Sequence, residues 1–245
     1  MVGEEQNDKE TSLPAGLPPG MAGLQIGIVR KIDADPLAMT RVLVDLPLID
    51  HDGEGIWARV GSLYGASQGG ISFMPEIGDE VLVGFINNDP RSPVVLGSVC
   101  GGKHGSPDTS HEANTSKTIV TRGQIRITLQ DIDKTVTIET PGGQVMVMSD
   151  TDESISITDS HANNVKLSAS GIALTSPKDI AITASGAVNI QGAAGVNVTS
   201  STSVKAEAPQ INAEASMTLA LKGNASAKLS ASGELDIQGS FVRIN

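Results

Sequence analysis

The chain has 245 residues, enough for one large or two modest domains, and a formal net charge of −11 with no cluster of Lys and Arg. That balance excludes the positive footprint needed to hold nucleic acid or an anionic membrane. No apolar run is long enough to span a bilayer and no signal-peptide pattern opens the chain, so a protein made in the cytoplasm is expected.

In chain order, residues 1–23 are charged and then rich in Pro and Gly, and read as a tail or linker without periodicity. Residues 24–100 change to short apolar runs broken by turn residues: "LQIGIVRKI", "TRVLVDLPL", "IWARVGSLY", "ISFMPEIG", "DEVLVGFIN" and "SPVVLGSVC". Short strands without a helical pattern predict a small closed barrel. Aromatic residues make up 2% of the chain, and four of them (Trp57, Tyr64, Phe73 and Phe85) fall in this region, which predicts its core. Trp57 is expected to plug the barrel or pack at its base. Gly78-Asp79 and Asn88-Asp89-Pro90 read as turns, and Gly65–Gly70 as a loop lacking the Lys of a phosphate cradle. Cys100, the single cysteine, permits no intrachain disulfide and reads as a small core residue.

Residues 101–122 are polar with Gly, Ser, Pro and Asn, and read as a connector. Beyond them apolar residues come in pairs two apart, the mark of a strand with one buried face. The pairs run Ile125/Ile127, Val136/Ile138, Val145/Val147, Ile155/Ile157, Val165/Leu167, Ile172/Leu174, Ile180/Ile182, Val188/Ile190 and Val196/Val198. They continue through Val204/Ala206, Ile211/Ala213, Leu219/Leu221, Ala227/Leu229, Leu235/Ile237 and Val242/Ile244. From Ile172 onward the spacing is 7 or 8 residues. Two small side chains cannot offset the ordering of eight residues, so each strand must stack on others. Two solenoids fit: one chain coiled with three strands per turn, or three chains that each give one strand to every layer of a prism.

The stretch from Ile56 to Gly102 resembles the OB-type barrel of contractile-injection spikes, the baseplate spikes of contractile-tailed phages and the Vgr proteins of type VI secretion. The resemblance rests on Trp57-x-Arg59-Val60, Pro75-x-x-Gly78-Asp79-Glu80-Val81-Leu82-Val83, Phe85 and Asp89-Pro90-x-x-Pro93-Val94-Val95-x-Gly97, in that order. It implies an all-β chain: a small OB-type barrel (24–100) followed by a trimeric intertwined triangular β-helix (123–245). Neither a hub domain nor the lysozyme insertion of some phage spikes is expected, since residues 101–122 are too short for the latter. About fifteen layers at ~4.8 Å each would give a rod on the order of 70 Å.

The resemblance further implies a central spike of a phage tail, type VI-like system or extracellular particle that perforates the target envelope mechanically and touches its membrane transiently. Its partners would be two further copies of the chain, a hub or baseplate protein at the barrel end, and a conical tip protein of the Pro-Ala-Ala-Arg (PAAR) repeat type at the other. Candidate tip-docking residues are Phe241, Arg243 and Asn245. The candidate trimer core comprises Ile172, Leu174, Ile180, Ile182, Val188, Ile190, Val196, Val198, Leu235 and Ile237. No catalytic, cofactor or metal residue is expected. His51, His104, His111 and His161 lie far apart, and Asp50-His51-Asp52, Asp131-x-Asp133 and Asp150-x-Asp152-Glu153 read as turns. The ending "GSFVRIN" lacks the His-x-His pair of iron-tipped spikes. The competing class is a β-helical polysaccharide-degrading or cell-surface-binding protein, poorly matched by a repeat region whose one aromatic is Phe241.

Overall fold

The computed structural model of the chain describes residues 20–49, 53–100, 105–108 and 112–244. Strands β1 (Gln25–Lys31), β2 (Val42–Asp45), β3 (Ile56–Val60), β6 (Glu80–Phe85) and β7 (Pro93–Ser98) close into a barrel in the order β1-β2-β3-β7-β6. Neighbours pair antiparallel except β3 and β7, which run parallel with Arg59 opposite Val94. The minute hairpin β4 (Gly65–Ala66) and β5 (Gly69–Gly70) stands apart from the barrel sheet.

Inside the barrel lie Val29, Val42, Val44, Leu46, Ala58, Val81, Val83 and Val95. β-Branched residues suit a pleated wall, and alternate positions of β1 and β6 deliver them inward. The interior is tight: a Cβ on Gly27 would stand 2.3 Å from Val44 Cγ1. This crowding corrects the aromatic core expected from composition. Ala58 points inward, so by strand parity its neighbour Trp57 stands on the outer wall, where the Arg41 guanidinium lies 5.9 Å above its ring. Tyr64 and Phe73 are exposed, and Phe85 alone of the four aromatics packs against the core. Cys100 is exposed just past β7, not buried.

The strand expected over "ISFMPEIG" does not form. Met74 packs on the core and Pro75 is buried, but Ile71, Phe73 and Ile77 point to solvent. The two turns behave as expected. Gly78 sits at φ 94° and Asp79 Oδ2 accepts the Glu76 amide at 2.9 Å. Asn87 and Asn88 adopt positive φ before Asp89, whose carboxylate accepts the Arg91 amide at 2.9 Å.

The second element is a seven-stranded antiparallel meander of β8 (Ser116–Val120), β9 (Arg126–Gln130), β10 (Thr135–Glu139), β11 (Val145–Ser149), β12 (Ser154–Thr158), β13 (Asn164–Ser168) and β14 (Gly171–Thr175). Its first strand lies within the stretch read as connector. Sequential neighbours pair within this one chain, so no strand of 116–175 waits for another chain to complete its ladder, except at the edges. Turns 121–125, 140–144 and 159–163 share one geometry. The fourth residue of each, Gln124, Gly143 or Ala162, adopts positive φ and donates its amide to the first residue's carbonyl.

The chain divides into two compact units after Ile180. From 176 to 244 no strand or bridge is formed, and the residues from 181 to 244 are exposed throughout.

Candidate functional site

The register of the meander sorts its side chains into two unlike faces. Ile127 lies opposite Ile119 and Ile138; Met146 opposite Ile138 and Ile157; Val165 opposite Ile157 and Leu174. The parallel row runs through Leu129, Val136, Met148, Ile155, Leu167 and Ile172. One face is therefore apolar across all seven strands, interrupted in these rows only by Lys117. The other carries Thr118, Thr128, Thr137, Val147, Ser156 and Lys166 in its central row. In β12 the apolar Ile155 and Ile157 are exposed, whereas Ser154, Ser156 and Thr158 are half-buried. A sheet that shows its apolar side to solvent has a surface still to be covered.

This register moves one pair. Val145 and Val147, expected on the buried face, lie with Glu139 and Thr137 on the polar one, and Met146 and Met148 take their place. Ile127 likewise pairs with Leu129 instead of Ile125, which precedes β9.

Apart from Lys166, the charges of the sheet lie at strand ends, turns and the β8 edge. Lys117 Nζ donates to Asp131 Oδ2 at 3.0 Å and to the Asn114 carbonyl. Arg126 and Glu139, cross-strand partners, form an ion pair at 3.4 Å. In the β12–β13 turn Asp159 accepts the Asn163 side-chain amide at 2.7 Å and the backbone amides of Asn163 and His161. These bonds, the Asn163 side chain foremost, hold its carboxyl below the usual carboxylate range. The acidic pairs proposed as turns are turns: Asp131 and Asp133 lie between β9 and β10, and Asp152 Oδ2 accepts the Ser149 hydroxyl between β11 and β12. Among the described residues no three His, Cys, Asp or Glu side chains gather as metal ligands. Asp50, His51, Asp52, His104 and His111 lie outside the described residues.

The second unit has a different deficit. Its sequence repeats continue, yet its residues form no strand, and among the described residues none makes a backbone–backbone hydrogen bond to another part of the chain. Extended backbone with apolar side chains requires partners for its N–H and C=O groups as well as for its surface.

Residues 25–99, the closed barrel, match the type VI secretion system/phage-baseplate injector OB domain family. That match spans the barrel and not the repeats that follow it. A curated relative, the actin cross-linking toxin VgrG1 of Vibrio cholerae serotype O1, is 34% identical over 70 residues, which are 29% of this chain and 6% of that toxin. The motif residues of the injector barrel are architectural: Gly78 and Asp79 turn the chain into β6, Asp89 turns it into β7, and Pro93 is buried at the start of β7 opposite Phe85.

The residues expected beyond the injector barrel are dispersed along the chain. Ile172 and Leu174 stand on β14 at the end of the apolar face. Ile180 follows that sheet, and Ile182, Val188, Ile190, Val196, Val198, Leu235 and Ile237 lie in the second unit, every one exposed. Val188 is better covered than Ile190, at 52% against 73% exposed, and Val196 than Val198, whereas in Ile172/Leu174 the order is reversed. Phe241 is 82% exposed, Arg243 is exposed, and Asn245 lies outside the described residues. Sequence reasoning missed Met146, Met148, Leu129 and Ile119 as members of the apolar face.

Proposed function

We propose that this chain is the central spike of a contractile injection machine, a homotrimer that joins a hub to a tip and perforates the target envelope by force, without catalysis. What supports this reading is the repetitive segment 181–244, which forms no strand or bridge and, among the described residues, makes no backbone–backbone hydrogen bond to the rest of the chain. Three copies wound together satisfy it: each strand pairs with strands of the other two, and the paired Val, Ile and Leu residues fill a narrow axis. The apolar face of β8–β14 would likewise be covered by the other copies, leaving its Ser/Thr face to water.

The mechanical role follows from that arrangement. No chain in a triple-wound prism can peel away without breaking its neighbours' ladders, so axial load is shared among many hydrogen bonds. Polar outer faces let such a rod pass through lipid without partitioning into it. A PAAR-type tip protein would cover the last strands at Phe241 and Arg243, and a hub would seat the barrel. The chain would act in an assembled phage or secretion particle after synthesis in the cytoplasm.

Mass measurement of the purified chain tests the reading. The expected particle is about three times 25.2 kDa and persists in SDS until heated. A folded particle of one chain mass overturns it.

A further inference from the structure

A hollow of about 270 Å³ lies at the end of the barrel where β3 begins and β2 and β6 finish. Leu46, Ile49, Ile56, Phe85 and Pro90 give it apolar walls, and Met21, Glu54 and Gly55 complete the lining. Leu46 is buried in the core cluster, while Ile49, Ile56 and Phe85 pack against that cluster and stay half-buried. The hollow is thus an apolar recess beside the core. Its volume falls below the usual range of small-molecule sites and suits one or two side chains.

The chain itself leads to this recess. The described residues begin at Gly20, and the next residue, Met21, both lines the hollow and donates its amide to the Asn88 carbonyl at 2.8 Å. The preceding stretch, "TSLPAGLPPG" at residues 11–20, carries no charge, so it can enter an apolar recess beside Glu54 without burying an ion. Its nearest large aliphatic side chain is Leu17, four residues before Met21 and so at most about 14 Å of chain away. Pro18 and Pro19 fix two φ angles in that span, and Pro18 keeps Leu17 out of the helical region. Less conformational freedom is then lost on docking.

We propose that the N-terminal stretch folds back on the barrel of its own chain and seats Leu17 in this hollow, against Ile49 and Phe85. The contact lies within one copy and does not depend on the trimeric reading above. Amide hydrogen exchange of the full chain tests it, with Leu17→Asp compared against the unaltered protein. The reporters are the Met21 amide and the Ile49 amide, which donates to the Leu46 carbonyl at 2.9 Å. Both are expected to exchange about tenfold faster in the variant, while the amides of β10 keep their rates. Unchanged rates at Met21 and Ile49 overturn the contact, as does an equal acceleration throughout the sheet. A second variant, Cys100→Ser with Leu17→Cys and Ile49→Cys, is expected to form a disulfide within one chain on oxidation, read by peptide mass mapping. A link formed only between chains places the stretch on a neighbouring copy and overturns the same-chain contact. Should the cysteine variant not fold, the exchange comparison decides alone.

Discussion

Met146 of β11 lies directly opposite Ile157 of β12, and one residue on, Val147 lies opposite Ser156. Adjacent apolar residues thus occupy opposite faces of one sheet, and their tolerance to change should differ accordingly. In the proposed trimer Met146→Asp would place a carboxylate in a covered face, at a cost of several kcal/mol per copy if it stays ionised and unpaired. Val147→Thr adds a hydroxyl to a face already rich in Thr and Ser and should cost under about 1 kcal/mol. Thermal unfolding of the two variants gives the comparison. Equal losses would mean that the register does not set which face is buried.

That pair also shows what the sequence made legible. The alternation "VMVMS" is apolar at four successive positions, so period two cannot say which two face inward; only the cross-strand neighbours Ile138 and Ile157 do. "SISIT" in β12, by contrast, has one possible apolar face, and it was read correctly. The barrel was legible as strands and turns, but Trp57 was not, because its place depends on which parity of β3 fits a Val-lined interior. The division after Ile180 was hidden as well: the apolar spacing at 172 continues unchanged into residues that form no strand or bridge.

Asp35 and Arg41 clasp the β1–β2 loop. Arg41 Nη2 reaches Asp35 Oδ1 at 2.6 Å, and the amides of Leu37, Met39 and Arg41 also donate to this carboxylate. The guanidinium first, with the amides adding to it against the opposing effect of desolvation, holds the carboxyl well below its ordinary range. A depressed folded-state pKa stabilises the fold in full above the unfolded value of about 3.9, and this contribution fades as pH falls below it. The barrel's melting temperature should therefore drop from neutral pH to about pH 3, and Asp35→Asn should lower it at neutral pH while flattening the acid limb. Parallel pH profiles for the two proteins would remove the clasp as the cause.

Ala162 adopts φ 64° at the position that Gly143, at φ 83°, fills in the neighbouring turn of the same geometry. A left-handed conformation costs a residue with Cβ about 1–2 kcal/mol, offset in part by the larger unfolded-state freedom of Gly. Ala162→Gly should stabilise the sheet by a few tenths to about 1 kcal/mol. Gly143→Ala should destabilise it, since the new Cβ also meets Ser160 Cβ at 3.3 Å. Chemical denaturation midpoints moving in opposite directions is the expected result.

Phe241 and Arg243 share strand parity, opposite to Val242 and Ile244, so an axis filled by the latter pair leaves the former at the perimeter of the last layer. On the proposed reading, this exposed aromatic and cation suit the edge of a docking surface. Removal of residues 241–245 should leave the trimer mass unchanged and abolish capture of the cognate tip protein. Undiminished capture would put the docking surface elsewhere.

Ile190 and Asn197 belong to consecutive repeats but to opposite parities, and only the proposed winding of three chains would set them apart. In a single chain both are exposed, so Asp at either position would be tolerated equally. In a wound trimer Ile190→Asp brings three carboxylates together at a dry axis, where each costs several kcal/mol unless it takes up a proton. Asn197→Asp remains in water and should change the melting temperature little. Protonation gives the core variant a signature that a general folding defect lacks. Its trimer should recover as pH falls below the raised pKa of the clustered carboxylates, because the folded state then binds more protons than the unfolded one. An Ile190→Asp trimer as stable as Asn197→Asp at neutral pH would place residue 190 on the outside of the rod.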